Sequence, residues 1–383
     1  MDFSFDDVQQ SMAKVVRNFA GKVLLPKYGY WDRKEEFPRE QWIKMAGLGL
    51  LGLRVSARYG GQEADSVTAG LIAEEVARGD FNCAYAVLLT CLVGDILDKF
   101  ATGEVKRSWL AEMVRGEKVI CLALTEPHAG SDAAALKTRA VRKGDTYVLN
   151  GEKSAISLLM AADAAVVFAR TDPEARTRGI SAFLVPLDLP GVTRQSYQDM
   201  GSKAIVRGSL FLDDVAVPAE CLIGPEGGGF VQVMQAFDYS RVIIALMCLG
   251  AAQITIEETA AYVKQRSAFG QPLARFEGIS FPLVEWLTRI EAARWLCYRA
   301  LWLRDRGLPH TREAAMCKWL CPEIAVDAIH ECLIIHGHYG YTREFPVEQR
   351  LRDVIGLQIG DGTPQVQKII IAREVFGREF LPY

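Results

Sequence analysis

The sequence predicts an α+β protein whose chain runs helical, then β, then helical again. Two observations carry that prediction. Apolar residues recur at helical spacing through the first 117 positions, and after Lys118 the pattern shortens to strand-sized runs punctuated by turn residues. A glycine cluster near residue 227 then returns the chain to helical spacing. The expected organisation is an all-α segment over 1–117, a β domain over 118–227 and a helical bundle over 228–383.

Taken in order, Phe5, Val8, Met12, Val15, Val16 and Phe19 mark one face of a first helix, and Val67, Leu71, Ile72 and Val76 mark a second. From Asn82 to Leu97 the chain is apolar nearly all round, which predicts a helix buried on every side. Short β-rich runs follow at Val119–Leu124, Tyr147–Leu149, Ala164–Ala169, Ile180–Leu187 and Ser209–Leu212. Lys143-Gly144-Asp145, Asn150-Gly151 and Leu189-Pro190-Gly191 punctuate them as turns. The cluster Gly224-Pro225-Glu226-Gly227-Gly228-Gly229 lacks the Lys-Ser/Thr of a phosphate-binding loop and is read as re-aiming the chain into the next helix. Helical spacing holds from there onward.

Composition narrows the function classes. With 383 residues, half of them apolar, the chain can bury a large core. Its 44 basic and 47 acidic residues are interspersed and give a net charge of -3, so nucleic acid is not an expected partner. Met1-Asp2-Phe3, followed by Asp6 and Asp7, has neither the look of a signal peptide nor of an Arg-rich transit segment, and apolar stretches such as Val242–Ala252 are short for a membrane span. The expectation is a cytoplasmic protein without membrane insertion. Nine cysteines lie in apolar segments; Cys317 and Cys321, one helical turn apart, with His330 and Cys332 beyond, fit no common zinc spacing and are read as buried thiols, with no metal.

The most informative stretch lies near the C-terminus, where Asp361 stands between Gly360 and Gly362, just before a helix-forming run. A carboxylate on such a turn projects into a cavity while the glycines let a ligand approach the main chain. Four further motifs precede it: Thr125-Glu126-Pro127-His128-Ala129-Gly130-Ser131-Asp132, Asn150-Gly151-Glu152-Lys153, Arg266-Ser267-Ala268-Phe269-Gly270 and Gly337-His338-Tyr339-Gly340-Tyr341. Together, and in this order, they resemble the flavin-dependent acyl-CoA dehydrogenases over nearly the full chain. The resemblance implies an N-terminal helical domain, a middle β-barrel-like domain and a C-terminal four-helix-bundle domain. It also implies FAD, an acyl-CoA thioester substrate, electron-transferring flavoprotein as acceptor and a homotetramer.

The chemistry is consistent with the residues. Removing hydrogen across the two carbons next to a thioester needs a base, a hydride acceptor and donors for the enolate-like oxygen; no side chain accepts a hydride, so a cofactor must. The chain has no Gly-x-Gly-x-x-Gly between strand and helix, so a Rossmann site is not indicated. By resemblance, Leu124 and Thr125 run under the flavin ring, Ser131 meets the pyrophosphate and acyl-CoA region, and Ser157 bonds near the reactive flavin nitrogen. Asn150-Gly151 is the hairpin turn leading to that strand. Arg266 and Phe269 serve a neighbouring subunit's flavin, and Glu277 stands near it where glutamine is usual. Gly337, Thr363 and Gln365 fall on the cofactor side. Asp238, Ser240, Arg241 and Gly362 fall on the substrate side, with Arg241 matched to the adenine end of CoA.

Asp361 aligns with the family's catalytic base, usually a glutamate, and its main-chain N–H would hold the thioester oxygen. The second position from which some members supply the base corresponds to Ser240, which cannot. Asp is shorter than Glu by about 1.5 Å. Gly360 stands where an aromatic is frequent, and Ala155 where Trp or Phe packs on the flavin. All three enlarge the space around the reacting carbons, which resembles the cyclohexanecarboxyl-CoA dehydrogenases. The rival expectations are a branched short-chain or aryl-substituted ester, a desulfinating or eliminating relative, and a flavin-free binding protein. Leu89, Thr90 and Cys91 are expected at the far end of the acyl pocket. His336 and His338 are read as packing or main-chain-bonding residues, and His128 as a shape-fitting substitution and not an acid or base.

Overall fold

A computed structural model describes residues 4–381; Met1–Phe3, on which the expectation about a leader partly rests, lie outside them. The N-terminal helices begin where the sequence supplies caps. Asp6 and Gln9 form a reciprocal capping box for α1 (Asp7–Phe19), which continues through a π-turn at Ala20–Leu24 into α2 (Leu25–Lys34). After α3 (Arg39–Gly47), Asp65 caps α4 (Ser66–Gly79) and Asp80 caps α5 (Phe81–Phe100). Every residue of α5 from Phe81 to Leu97 is buried, the outcome its all-round apolar pattern predicts. Two short helices, α6 (Gly103–Val105) and α7 (Ala111–Val114), close this region.

One mixed sheet follows. Its strands are β1 (Ile120–Ala123), β2 (Arg139–Lys143), β3 (Thr146–Ile156), β4 (Ala164–Arg170), β5 (Ile180–Pro186), β6 (Val192–Ser196), β7 (Gly208–Pro218) and β8 (Leu222–Ile223). They pair in the order β6-β7-β3-β2-β4-β5-β8, with β1 parallel to β4. The expected runs all became strands, but β2, β6 and β8 were missed. β6 is edge-placed and mostly exposed, so it never shows the apolar enrichment used to find a strand. Asn150-Gly151 is a second correction: it is not a hairpin turn but a bulge inside β3, where the register to β7 shifts between Leu149 and Gly151. Gly151 lies against Thr138, where an added Cβ would come within 2.5 Å of the hydroxyl, and the Asn150 amide bonds to Asp214.

The remainder is helical: α8 (Gly229–Gln265), α9 (Glu277–Asp305), α10 (Thr311–His336), α11 (Val347–Ile359) and α12 (Pro364–Phe376), with a small hairpin of β9 (Ser267–Ala268) and β10 (Gln271–Pro272) after α8. α10 packs on the other four helices and is the centre of this layer. α5 and α8 are long and apolar enough to cross a membrane by length and composition, which counting uninterrupted apolar residues overlooked. The protein itself covers 94% and 89% of those two windows.

Asp353 joins the layers. Buried on α11, its carboxylate accepts from Tyr28 of α2, Asn82 of α5 and the main chain of Ser202. Gly201 beside it packs its α-carbon onto the Arg352 carbonyl, where a Cβ would sit 2.2 Å away. The segment between β6 and β7 is thereby fixed against α5 and α11, just ahead of the turn that carries Asp361.

Candidate active site

α11 ends at Ile359, and the turn 360–363 joins it to α12, whose N-cap is Thr363. Asp361 takes a left-handed conformation, φ 55°, which an Asp tolerates better than most residues, and Gly362 has φ 97°. Two buried side chains clamp this turn. Lys318 of α10, 1% exposed, donates to the carbonyls of Leu357 at 2.7 Å and Gly362 at 3.1 Å. Gln367 of α12 donates to the carbonyls of Asp361 and Gly362. Neither was found from sequence, because a Lys inside an apolar helix and a Gln one turn into another carry no local motif.

The Asp361 residue is half-buried, and the protein around its carboxyl strips it of water. That burial raises its pKa above the ordinary carboxylate range, opposed by the charges of Lys318, Arg241 and Arg207. Its main-chain N–H donates to no acceptor among the described residues. A raised carboxylate with a free N–H on the same residue can take a proton and hold a developing oxyanion. Gly360 has φ near -63°, so no backbone strain demands glycine there, and an added Cβ would meet only ordinary contacts, the nearest at 3.5 Å. The missing side chain at Gly360 is therefore a feature of the sequence and not a requirement of the turn.

Arg241 is corrected. It is 7% exposed on α8, paired with Asp238 at 2.7 Å and within the field of Asp361, so it is not at a surface where the adenine end of CoA would rest. Asp238 also accepts from Thr311. Ser240 is fully buried and its hydroxyl donates back to the Phe237 carbonyl. Leu89, Thr90 and Cys91 are buried on α5.

On the sheet side, Leu124 and Thr125 lie just beyond β1, and Ser154 N–H bonds to the Thr125 carbonyl, so β3 runs beside them. Buried Glu126 holds this loop: it accepts from the main chain of Lys137 and Thr138 and from buried Lys153, which also reaches the Leu124 carbonyl. Burial alone would raise the Glu126 carboxyl, but Lys153 and those bonds bring it below its ordinary value, and burial lowers Lys153 to about 8. Ser131 is exposed at the loop's end. Ala155 is exposed at φ 54°, and Ser157 follows it, its hydroxyl accepting from Arg207. An open strip with no bulky side chain at Ala155 and a hydroxyl at Ser157 fits a planar ring laid along β3.

Arg266, Phe269 and Glu277 are all exposed around the β9–β10 hairpin, with Phe269 95% exposed at φ 52°. An aromatic held outward in a left-handed conformation is costly unless another surface covers it. Gly337, φ 61°, opens the turn after α10 with nothing near its α-carbon, and Gln365 is exposed on the first turn of α12. His336 is buried, stacks on Tyr262 at 4.4 Å and bonds to the Cys332 carbonyl; His128 is partly exposed, 3.4 Å from Glu126. A cavity of about 470 Å³ between α2, α8 and the segment leading into α11 includes His336 but none of the residues around Asp361. Among the described residues no cluster of His, Cys, Asp and Glu would hold a metal ion.

Three family models match the chain in order: the acyl-CoA dehydrogenase N-terminal domain over residues 6–117, the middle domain over 121–215 and the C-terminal domain over 227–376. The short-chain specific acyl-CoA dehydrogenase of Clostridium acetobutylicum is 35% identical over 98% of this chain and its own full length. The solved butyryl-CoA dehydrogenase of Megasphaera elsdenii is 35% identical with a TM-score of 0.94, covering 98% of this chain and 100% of that one. A chain solved in work on the electron transferring flavoprotein of Acidaminococcus fermentans is 34% identical with the same TM-score, over 98% and 100%. The chain thus belongs to the acyl-CoA dehydrogenase family: it is an FAD-dependent oxidoreductase acting on the CH–CH group of an acyl-CoA.

Proposed function

We propose that this enzyme forms the α,β double bond of a cyclic acyl-CoA, converting cyclohexane-1-carboxyl-CoA to cyclohex-1-ene-1-carboxyl-CoA, with Asp361 as the base. The observation that carries the ring is the absence of a side chain at Gly360, where the turn does not require glycine, next to a base one methylene shorter than usual. FAD, when bound, supplies the acceptor for the β-hydride. This chain's residues do the rest: Asp361 takes the α-proton, and its main-chain N–H supports the thioester oxygen. Leu124, Thr125 and Ser157 line the ring of the flavin, with Ser131, Gly337, Thr363 and Gln365 along the remainder of the cofactor and Gly362 against the substrate.

The outward Phe269, with Arg266 and Glu277, supports assembly in which the hairpin reaches a neighbouring subunit's flavin, in a homotetramer. Electron-transferring flavoprotein is the proposed acceptor, a reading supported by the Acidaminococcus neighbour.

The test is anaerobic flavin bleaching by cyclohexanecarboxyl-CoA against butyryl-CoA, in wild type and in Asp361→Glu/Gly360→Tyr. The double change pushes the carboxylate forward and restores a wall, and pocket changes of this size are each worth about 1–3 kcal/mol, so the ratio should shift by orders of magnitude toward butyryl-CoA. A wild type that prefers butyryl-CoA, the ester for which the Megasphaera relative is named, overturns the cyclic reading.

A further inference from the structure

Arg207 has no role in the chemistry set out above, yet it is placed in the middle of it. It lies between β6 and β7 with a side chain only 17% exposed. Its Nε donates to Ser157 Oγ at 3.3 Å and its Nη1 to Asp199 Oδ2 at 2.8 Å. The guanidinium carbon is 5.9 Å from the centre of the Tyr85 ring. Tyr85 is itself 6% exposed on α5, with its hydroxyl beside Ser157 and Arg207. Both side chains are within the field of Asp361.

A guanidinium is a fork of N–H donors. Asp199 and Ser157 occupy Nη1 and Nε, and the Tyr85 hydroxyl lies within reach of the same guanidinium. Burying a full charge and a phenol carries a desolvation cost, which Asp199 offsets in part and to which a plain hydrocarbon substrate would contribute nothing. The pair is fixed through one shared anchor: the 199–207 segment is fastened to α11 through Ser202 and Asp353, and α5 through Asn82 and the same Asp353. Its position is thus set by the fold and not by side-chain freedom at a surface.

We propose that Arg207 and Tyr85 recognise a hydrogen-bond-accepting oxygen on the acyl group, either a ring hydroxyl or a second carboxylate. The inference rests on Asp361 marking the reacting carbons, and it deepens the cyclic reading by giving the ring a polar substituent. Asp199 already balances the Arg207 charge, so a neutral hydroxyl is accommodated as readily as an anion.

The experiment compares matched esters on the flavin-loaded enzyme. The ring set is cyclohexanecarboxyl-CoA with its 3-hydroxy and 4-hydroxy derivatives; the straight pair is butyryl-CoA and glutaryl-CoA. Calorimetric Kd and the rate of anaerobic flavin bleaching are read for wild type, Arg207→Met and Tyr85→Phe. In wild type an oxygenated ester should bind about 10- to 100-fold more tightly than its plain partner, the range for a hydrogen bond to a charged donor. Arg207→Met should abolish that preference, and Tyr85→Phe should reduce it. The Tyr85 variant removes one hydroxyl only and stays informative if Arg207→Met does not fold.

A role confined to bracing Ser157 would weaken all esters alike, and that result overturns the proposal. So does a wild type indifferent to oxygen in both sets. A preference within the ring set supports this inference together with the cyclic reading. A preference confined to glutaryl-CoA over butyryl-CoA, with ring esters inert, supports the oxygen site as a carboxylate site and overturns the ring.

Discussion

Replacing Lys318 by Met removes a cation and two hydrogen bonds from beneath the Asp361 turn while nearly keeping side-chain volume. Lys318 ties the last turn of α11, through the Leu357 carbonyl, to the far side of the turn, through the Gly362 carbonyl. Each hydrogen bond from a charged donor contributes about 1.5–3 kcal/mol, and the ammonium no longer has to be buried in the variant, so the net loss is about 2–4 kcal/mol. The functional consequence has its own sign. Burial raises the Asp361 carboxyl and Lys318 opposes it; without the cation the pKa moves further up. Proton abstraction needs the ionised carboxylate, so the base limb of flavin reduction should move to higher pH. The assays are the denaturation midpoint of the flavin-loaded protein and the pH profile of single-turnover flavin reduction. A Lys318→Met enzyme with an unchanged midpoint and an unchanged profile would refute the clamp and the electrostatic coupling together.

Asp361→Asn keeps the shape of the turn and removes the base, so flavin reduction should slow by roughly a hundredfold or more while ester binding changes far less; a normal rate of bleaching would move the base elsewhere. Arg266→Ala should weaken both flavin retention and subunit assembly, since ligand and oligomer stabilise each other, and gel filtration with absorbance at the flavin band reads both. Retention of colour and of size together would count against a shared site. Burial raises Asp80 to about 7 and Asp353 to about 6. Carboxyls raised in the folded state hold protons that the unfolded chain has released, so their contribution to stability falls as pH rises from about 4 through about 7. Urea midpoints between pH 5 and 7.5 should therefore fall less steeply in Asp353→Asn than in wild type, and equal slopes would show that Asp353 does not titrate in that window.

The sequence by itself determined the helical, β, helical order, because apolar period and turn residues are local properties. The all-round apolar α5 was legible for the same reason. It also pointed to Asp361 as the proposed base, since that residue stands between two glycines and follows motifs that recur in order along the chain. Tertiary structure decided what surrounds that carboxylate. Lys318, Gln367, Arg207 and Tyr85 come from α10, α12, the segment before β7 and α5, and each reads locally as an ordinary helix, loop or core residue. Arg241 was misassigned on this account: a cation on a helix can face a phosphate or the interior, and only the packing of α8 against its neighbours fixes which. The bulge at Asn150-Gly151 was misread because the dipeptide has the same conformational freedom in a turn as inside a strand, and it is the pairing of β3 with β7 that selects between them.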